Sequence, residues 1–283
     1  MGIFNYKEKF ESLINRGNKS VIKEEDTSTV PPLRIIPYVE KEQVITTIIE
    51  HEQREEDDEI ASKKFFSKIY GQDDIKLNLY SAVTSKEQIN SLLYGPPACS
   101  KSLFMKIIEE KTNDCFYFDC SQATSAGLIE ALNEHRDAKI LCLDEIGMLK
   151  KNDLDALRGL LNDGRIIKTL KKKRYDFTMN VKIFATTNDM NLPNPIISRF
   201  TTYQIPDYSD EDFIKVVQFC LRDKYNDDMS ALIANVFLSH KLKDVRQVIN
   251  ASRLIKNKDS ETLLIKKIET IINRKVTHKE DYN

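Results

Sequence analysis

No apolar run in this 283-residue sequence approaches the length needed to span a bilayer. Met1 to Phe10 is charged and lacks the apolar core of a signal peptide. The five cysteines (Cys99, Cys115, Cys120, Cys142 and Cys220) are odd in number and form no CxxC pair. That fits a reducing compartment and argues against a disulfide framework or a zinc site, as do the scattered histidines. An excess of one charge is missing too: 43 Lys and Arg against 44 Asp and Glu give −1. Only a local patch could therefore attract a polyanion. Internal repeats are absent. What remains, 41% apolar and 31% charged residues, describes a globular chain with a highly solvated surface, expected to be cytoplasmic with no membrane partner.

Three parts follow from the pattern. Residues 1–61 are the least globular: "KEEDTSTVPP" is a charged, proline-bearing linker, and "HEQREEDDE" is an acidic run unable to bury itself. Helical periodicity in "YVEKEQVITTIIEHEQ" predicts a tethered helix within this arm. Residues 62–207 alternate short apolar runs with amphipathic stretches. "SLLYG", "CFYFDC", "KILCLDE", "VKIFATT" and "TTYQI" read as strands; "KSLFMKIIEEK", "AGLIEALNEH" and "NDLDALRGLLND" read as helices. Such alternation predicts an α/β fold, a parallel sheet covered by helices on both faces. Residues 208–283 are wholly helical, opening with Ser209 and Asp212 in capping-box spacing, and predict a small all-α domain.

"LLYGPPACSKSLF" nearly matches the phosphate-binding pattern G-x-x-x-x-G-K-[ST], but Ser100 stands where the second glycine is expected. The loop comprises Gly95, Pro96, Pro97, Ala98, Cys99, Ser100, Lys101, Ser102 and Leu103, between a predicted strand and a predicted helix. Backbone N–H groups and the helix N-terminus suit phosphate, the Lys101 ammonium suits β/γ oxygens, and the Ser102 hydroxyl suits Mg²⁺. If Ser100 must adopt positive φ, an L-residue costs about 1–2 kcal/mol there, which a packed loop tolerates. Some forty residues on, "KILCLDEIGML" ends a strand in Asp144 and Glu145, suited to anchoring Mg²⁺ and to activating a water. Next, "FATTNDM" offers Thr187 and Asn188 to orient the γ-phosphate or that water, and "LPNPIISRF" places Arg199 after an apolar turn. The set predicts an ATP hydrolase with ATP and Mg²⁺ as cofactors.

The order GPPxxxxKS, LCLDE, ATTN, SRF resembles the AAA+ ATPases over about residues 62–275. That resemblance implies a P-loop ATPase sheet domain followed by a helical lid. It implies Walker A at Lys101 and Ser102, Walker B at Asp144 and Glu145, and sensor 1 at Asn188. Arg199 would be an arginine finger reaching a neighbouring subunit, so a homo-oligomeric ring, expected to be a hexamer, is implied as well. Arg246 in "LKDVRQVINASRL" matches sensor 2, and Ile69 and Tyr70 in "FFSKIYGQDDIKLNL" would border the adenine.

Between Asp163 and Val181, "GRIIKTLKKKRYDFTMN" reads as two β-forming pieces around a charged tip, a hairpin inserted before the sensor 1 strand. Such an insertion resembles the AAA+ group that includes RuvB, the MCM helicases, MoxR and Lon. "YGPP", "LDEIGML" and "ATTN" are similar to RuvB, while the non-glycine before "KS" and "LPxPIISRF" are similar to MCM. Ser100 is then a lineage variant of a working loop. Arg165, Lys168, Lys171, Lys172, Lys173 and Arg174 concentrate charge on the hairpin, either to grip DNA phosphates or as a solvated turn. The expected function is a RuvB-like motor on DNA; the alternative is a MoxR-like chaperone that remodels a protein client. RuvB carries a winged helix after its lid and lacks the long N-terminal arm, and both features depart from the pattern here.

Overall fold

A computed structural model describes residues 41–170, 173–255 and 261–280, so Lys171, Lys172 and the "KEEDTSTVPP" linker lie outside the described residues. The chain divides into two units, 1–50 and 51–283. Helix α1 (Lys41–Phe65) takes in the acidic run, whose residues from Arg54 to Glu59 are exposed. A solvated helix needs no burial of those charges, so the run continues the helix with its charges in water.

The second unit continues through α2 (Asp73–Thr84), β1 (Ser91–Tyr94), α3 (Lys101–Lys111) and β2 (Cys115–Asp119). Then come α4 (Ser125–Glu134), β3 (Ile140–Asp144) and α5 (Lys151–Asp163). An antiparallel hairpin of β4 (Arg165–Leu170) and β5 (Lys173–Thr178) precedes β6 (Lys182–Thr187). A single turn, α6 (Asn194–Ile197), leads to β7 (Thr201–Gln204). All five stretches read as sheet strands pair in parallel, in the order β2-β3-β6-β1-β7.

Alternation along each strand splits the apolar residues between two cores. Leu93, Cys142 and Phe184 face α3, where Phe104, Met105 and Ile108 are buried. Leu92, Leu141, Leu143, Ile183 and Ala185 face the other way, with Leu128 and Leu132 of α4 and Leu157 and Leu160 of α5. Helices thus cover both faces, and every strand's carboxyl end opens on the same edge, where ligands of such sheets bind.

The all-α part comprises α7 (Asp210–Leu221), α8 (Asp227–Ser239), α9 (Val245–Ser252) and α10 (Glu261–Glu280). Ser209 caps α7 as its spacing predicts, its hydroxyl accepting the Asp212 N–H at 3.0 Å. Tyr225 ties α7 to the end of α9, donating to the carbonyls of Ser252 and Ile255 at 2.9 Å. Among the described residues no helix is long and apolar enough to cross a membrane.

Candidate active site

The phosphate-like loop joins β1 to α3 at the carboxyl edge. Gly95 is required there: a Cβ would lie 2.1 Å from the Ile205 carbonyl oxygen. Ser100 takes φ 65, and Ala98 φ 66, so two L-residues hold left-handed conformations that glycine would favour. The Ser100 hydroxyl makes no helix cap and instead lies 3.1 Å from the Tyr208 hydroxyl. Lys101 is 4% exposed and donates to the carbonyls of Gly95 and Pro96 at 2.8 and 2.7 Å. Burial pushes its ammonium below the ordinary lysine value, opposed by the charge of Glu145.

Ser102, the second residue of α3, donates to Asp144 at 3.1 Å. Tyr117 on β2 donates to the other Asp144 oxygen at 2.7 Å, and Thr186 on β6 donates to the first. Parallel register explains the convergence: Asp144 pairs with Asp119 and lies one step beyond the Leu143–Ala185 pair, level with Thr186. Glu145 turns into a left-handed conformation at φ 59, and its N–H is held by the Thr186 hydroxyl at 2.9 Å. The Glu145 carboxylate accepts the Asn188 amide at 2.8 Å. Burial raises its pKa above the ordinary glutamate value, against the pull of Lys101, Asn188 and Arg246.

Thr186, which sequence reasoning did not single out, thus joins Asp144 to Glu145, while Thr187 lies against Gly147 in the turn after Glu145. Period-2 alternation in "IFATT" separates the two threonines, but only the register says which one meets Asp144. Tyr117 and Tyr208 carry no sequence signal for their roles, since their partners lie 27 and 108 residues away.

Arg246 sits in the first turn of α9, with its charge felt at Lys101, Cys99 and Glu145. Arg199 is half-buried and engaged locally, donating to Asn162 at 2.8 Å and to the Pro195 carbonyl. Ile69 is buried, while Tyr70 is 37% exposed with its ring 5.6 Å from that of Phe219 on α7. Pro97, Cys99 and Leu103 complete the loop, Cys99 buried.

On the hairpin, Arg165 is committed to Asp176, bound through Nε and Nη2 at 2.9–3.0 Å, and Arg174 reaches the same carboxylate at 3.3 Å. Lys168 donates to the Asn152 carbonyl at 2.6 Å, and Lys173 lies 4.6 Å from the Tyr175 ring centre. The basic residues are thus divided between two faces of the ribbon. The sequence count overstated the free charge, because it did not weigh Asp176.

Residues 91–207 match the family described as ATPase family associated with various cellular activities (AAA). The chain is 28% identical over 160 residues to Holliday junction branch migration complex subunit RuvB of Phytoplasma mali, covering 52% of this chain and 48% of that one. It is 22% identical over 253 residues to zygotic DNA replication licensing factor mcm6-B of Xenopus laevis, covering 74% and 30%. Less than half of either relative's length is spanned. Two solved variants of Thermotoga maritima RuvB superpose with TM-scores of 0.55 and 0.54 at 21% and 19% identity. They cover 72% of each chain in the first case, and 71% of this chain and 70% of the other in the second.

Proposed function

We propose, from the premise that this chain carries an AAA ATPase domain with a RuvB-like fold, that it is an ATP-driven, ring-forming motor acting on DNA. One observation carries the hydrolase reading: Ser102, Asp144, Thr186, Glu145 and Asn188 form one connected hydrogen-bond network at the carboxyl edge of the sheet. The hydroxyl and carboxylate of Ser102 and Asp144 are hard oxygen donors, suited to Mg²⁺ shared with phosphate. Bound MgATP supplies the transferable phosphoryl group, with the cation offsetting its charge. Lys101 holds phosphate oxygens, Glu145 accepts the proton of the attacking water, and Asn188 fixes the Glu145 carboxylate. Arg246 adds positive charge from the lid. Arg199, bound to Asn162 and the Pro195 carbonyl, serves the site of a neighbouring subunit.

Support for DNA as the substrate comes from the basic hairpin and from the names of both relatives, which concern DNA. Each phosphate neutralised releases counterion, giving a log–log salt slope of about −0.7 to −0.9 per contact. Replacing Lys171, Lys172 and Lys173 with alanine should flatten that slope, weaken unrelated sequences alike and abolish DNA stimulation of turnover while basal hydrolysis persists. A protein client is the second reading, favoured by Ile167, 52% exposed on the hairpin, and by the neutralisation of Arg165. Fluorescence anisotropy decides: if parent and variant bind DNA equally, or neither binds at moderate salt, the client is protein.

A further inference from the structure

The segment that leads from the sheet to the lid braces the phosphate loop at both ends. At one end the Ile205 N–H donates to the Tyr94 carbonyl at 2.8 Å, and the Ile205 carbonyl occupies the space where a Gly95 side chain would be. At the other, the Tyr208 hydroxyl meets Ser100 at 3.1 Å. Tyr208 is buried and lies two residues before α7. Its carbonyl accepts Lys243 at 2.8 Å, and Lys243 also pairs with Asp210 at 2.8 Å, in the first turn of α7. The next residue, Asp244, caps α9, the helix carrying Arg246. A continuous path of polar contacts therefore runs from Ser100 through Tyr208 and Lys243 to the two lid helices.

A glycine at position 100 would fit the left-handed backbone better but would leave Tyr208 without this partner. We propose that Ser100 and Tyr208 form a latch that fixes the phosphate loop for nucleotide binding and joins it to the lid, with Tyr208 a positioning residue. The proposal deepens the reading of this loop as an ATP site and rests on it. The latch sets where the loop's N–H groups point, whereas Glu145 and Asn188, which handle the water, are held separately by Thr186 and by each other. Its loss should therefore appear in affinity rather than in turnover at saturation.

The test is a double-mutant cycle of Ser100→Ala, Tyr208→Phe and the pair, with fluorescent MgADP and MgATP as probes alongside steady-state hydrolysis. Each single change should weaken nucleotide binding about fivefold, the scale of one net hydrogen bond, with kcat within about twofold. The double variant should be no weaker than either single one, because one bond is lost in all three. Additive losses, unchanged affinity in Ser100→Ala, or a fall in kcat at constant KM would each overturn the latch. Should Tyr208→Phe misfold, Ser100→Ala alone still decides through its KM and kcat. A parent protein that binds no MgATP would remove the ATP-site reading and the latch with it. A parent that binds it, with an additive cycle, would remove only the latch.

Discussion

Glu145 combines two constraints that pull in opposite directions. Its left-handed backbone is strained for an L-residue and its burial disfavours the ionised carboxylate, yet Thr186 and Asn188 hold both its N–H and its carboxylate in place. Glu145→Gln keeps the amide contacts and removes the base. Turnover should fall about 10²–10⁴-fold, the usual contribution of general base catalysis, while MgATP affinity changes little. Loss of binding in parallel with turnover would assign Glu145 to nucleotide holding instead. The pH profile gives a second check. A base works ionised, so activity should be lost as pH falls through its pKa, and burial places that acid limb above the ordinary glutamate value of 4.5. The limb should vanish from the residual activity of Glu145→Gln. At the phosphate loop, Ser100→Gly would trade the latch for relief of about 1–2 kcal/mol of left-handed strain. Its net effect on stability should be small or favourable, read as an unchanged or raised Tm.

At the scale of elements, the hairpin is joined firmly to the body of the sheet domain. Ile166, Tyr175 and Phe177 bury one face against the second core, and Tyr175 donates to Glu130 of α4 at 3.1 Å. At its base, Gly164 ends α5 at φ 70, and its carbonyl accepts the Met179 N–H at 2.7 Å. A Cβ on Gly164 would lie 2.3 Å from the Met179 carbonyl oxygen. Gly164→Ala should thus cost more than the roughly 1–2 kcal/mol of a left-handed L-residue. A thermal melt should register a Tm lower by at least about 2–4 °C per kcal/mol. Unchanged melting would mean that the hairpin base relaxes freely. The amphipathic strands β4 and β5 were legible as a pair of β-forming pieces. Their charge balance was not, because Arg165, paired with Thr178, meets Asp176 only once antiparallel register sets them diagonally on one face.

For the molecule as a whole, the arrangement of the two arginines matters most. Arg246 is within electrostatic reach of Lys101 and Glu145, while Arg199 is engaged with Asn162 and Pro195. If Arg199 completes a neighbour's site, specific activity should rise with protein concentration. Arginine fingers contribute roughly 10³–10⁵ in rate, so Arg199→Ala should be nearly inactive alone. Mixing it with an equally inactive Lys101→Ala chain should restore part of the turnover, because mixed neighbours can form one intact interface. A monomer of full activity in the ultracentrifuge would rule this out.

Periodicity alone was enough to locate the five sheet strands, the helices between them and the capped start of α7, because alternation and 3.6-residue spacing are local properties. The order of Lys101, Ser102, Asp144, Glu145 and Asn188 was likewise legible, since all five sit at the start of one helix or the carboxyl ends of two strands. Local pattern cannot say which side chains meet across strands. Bringing Thr186 and Tyr117 to Asp144, cancelling Arg165 with Asp176 and setting Tyr208 against Ser100 all depend on register and on the path between sheet and lid. Those contacts join residues far apart in the chain, and only the packed tertiary structure brings them within hydrogen-bonding distance.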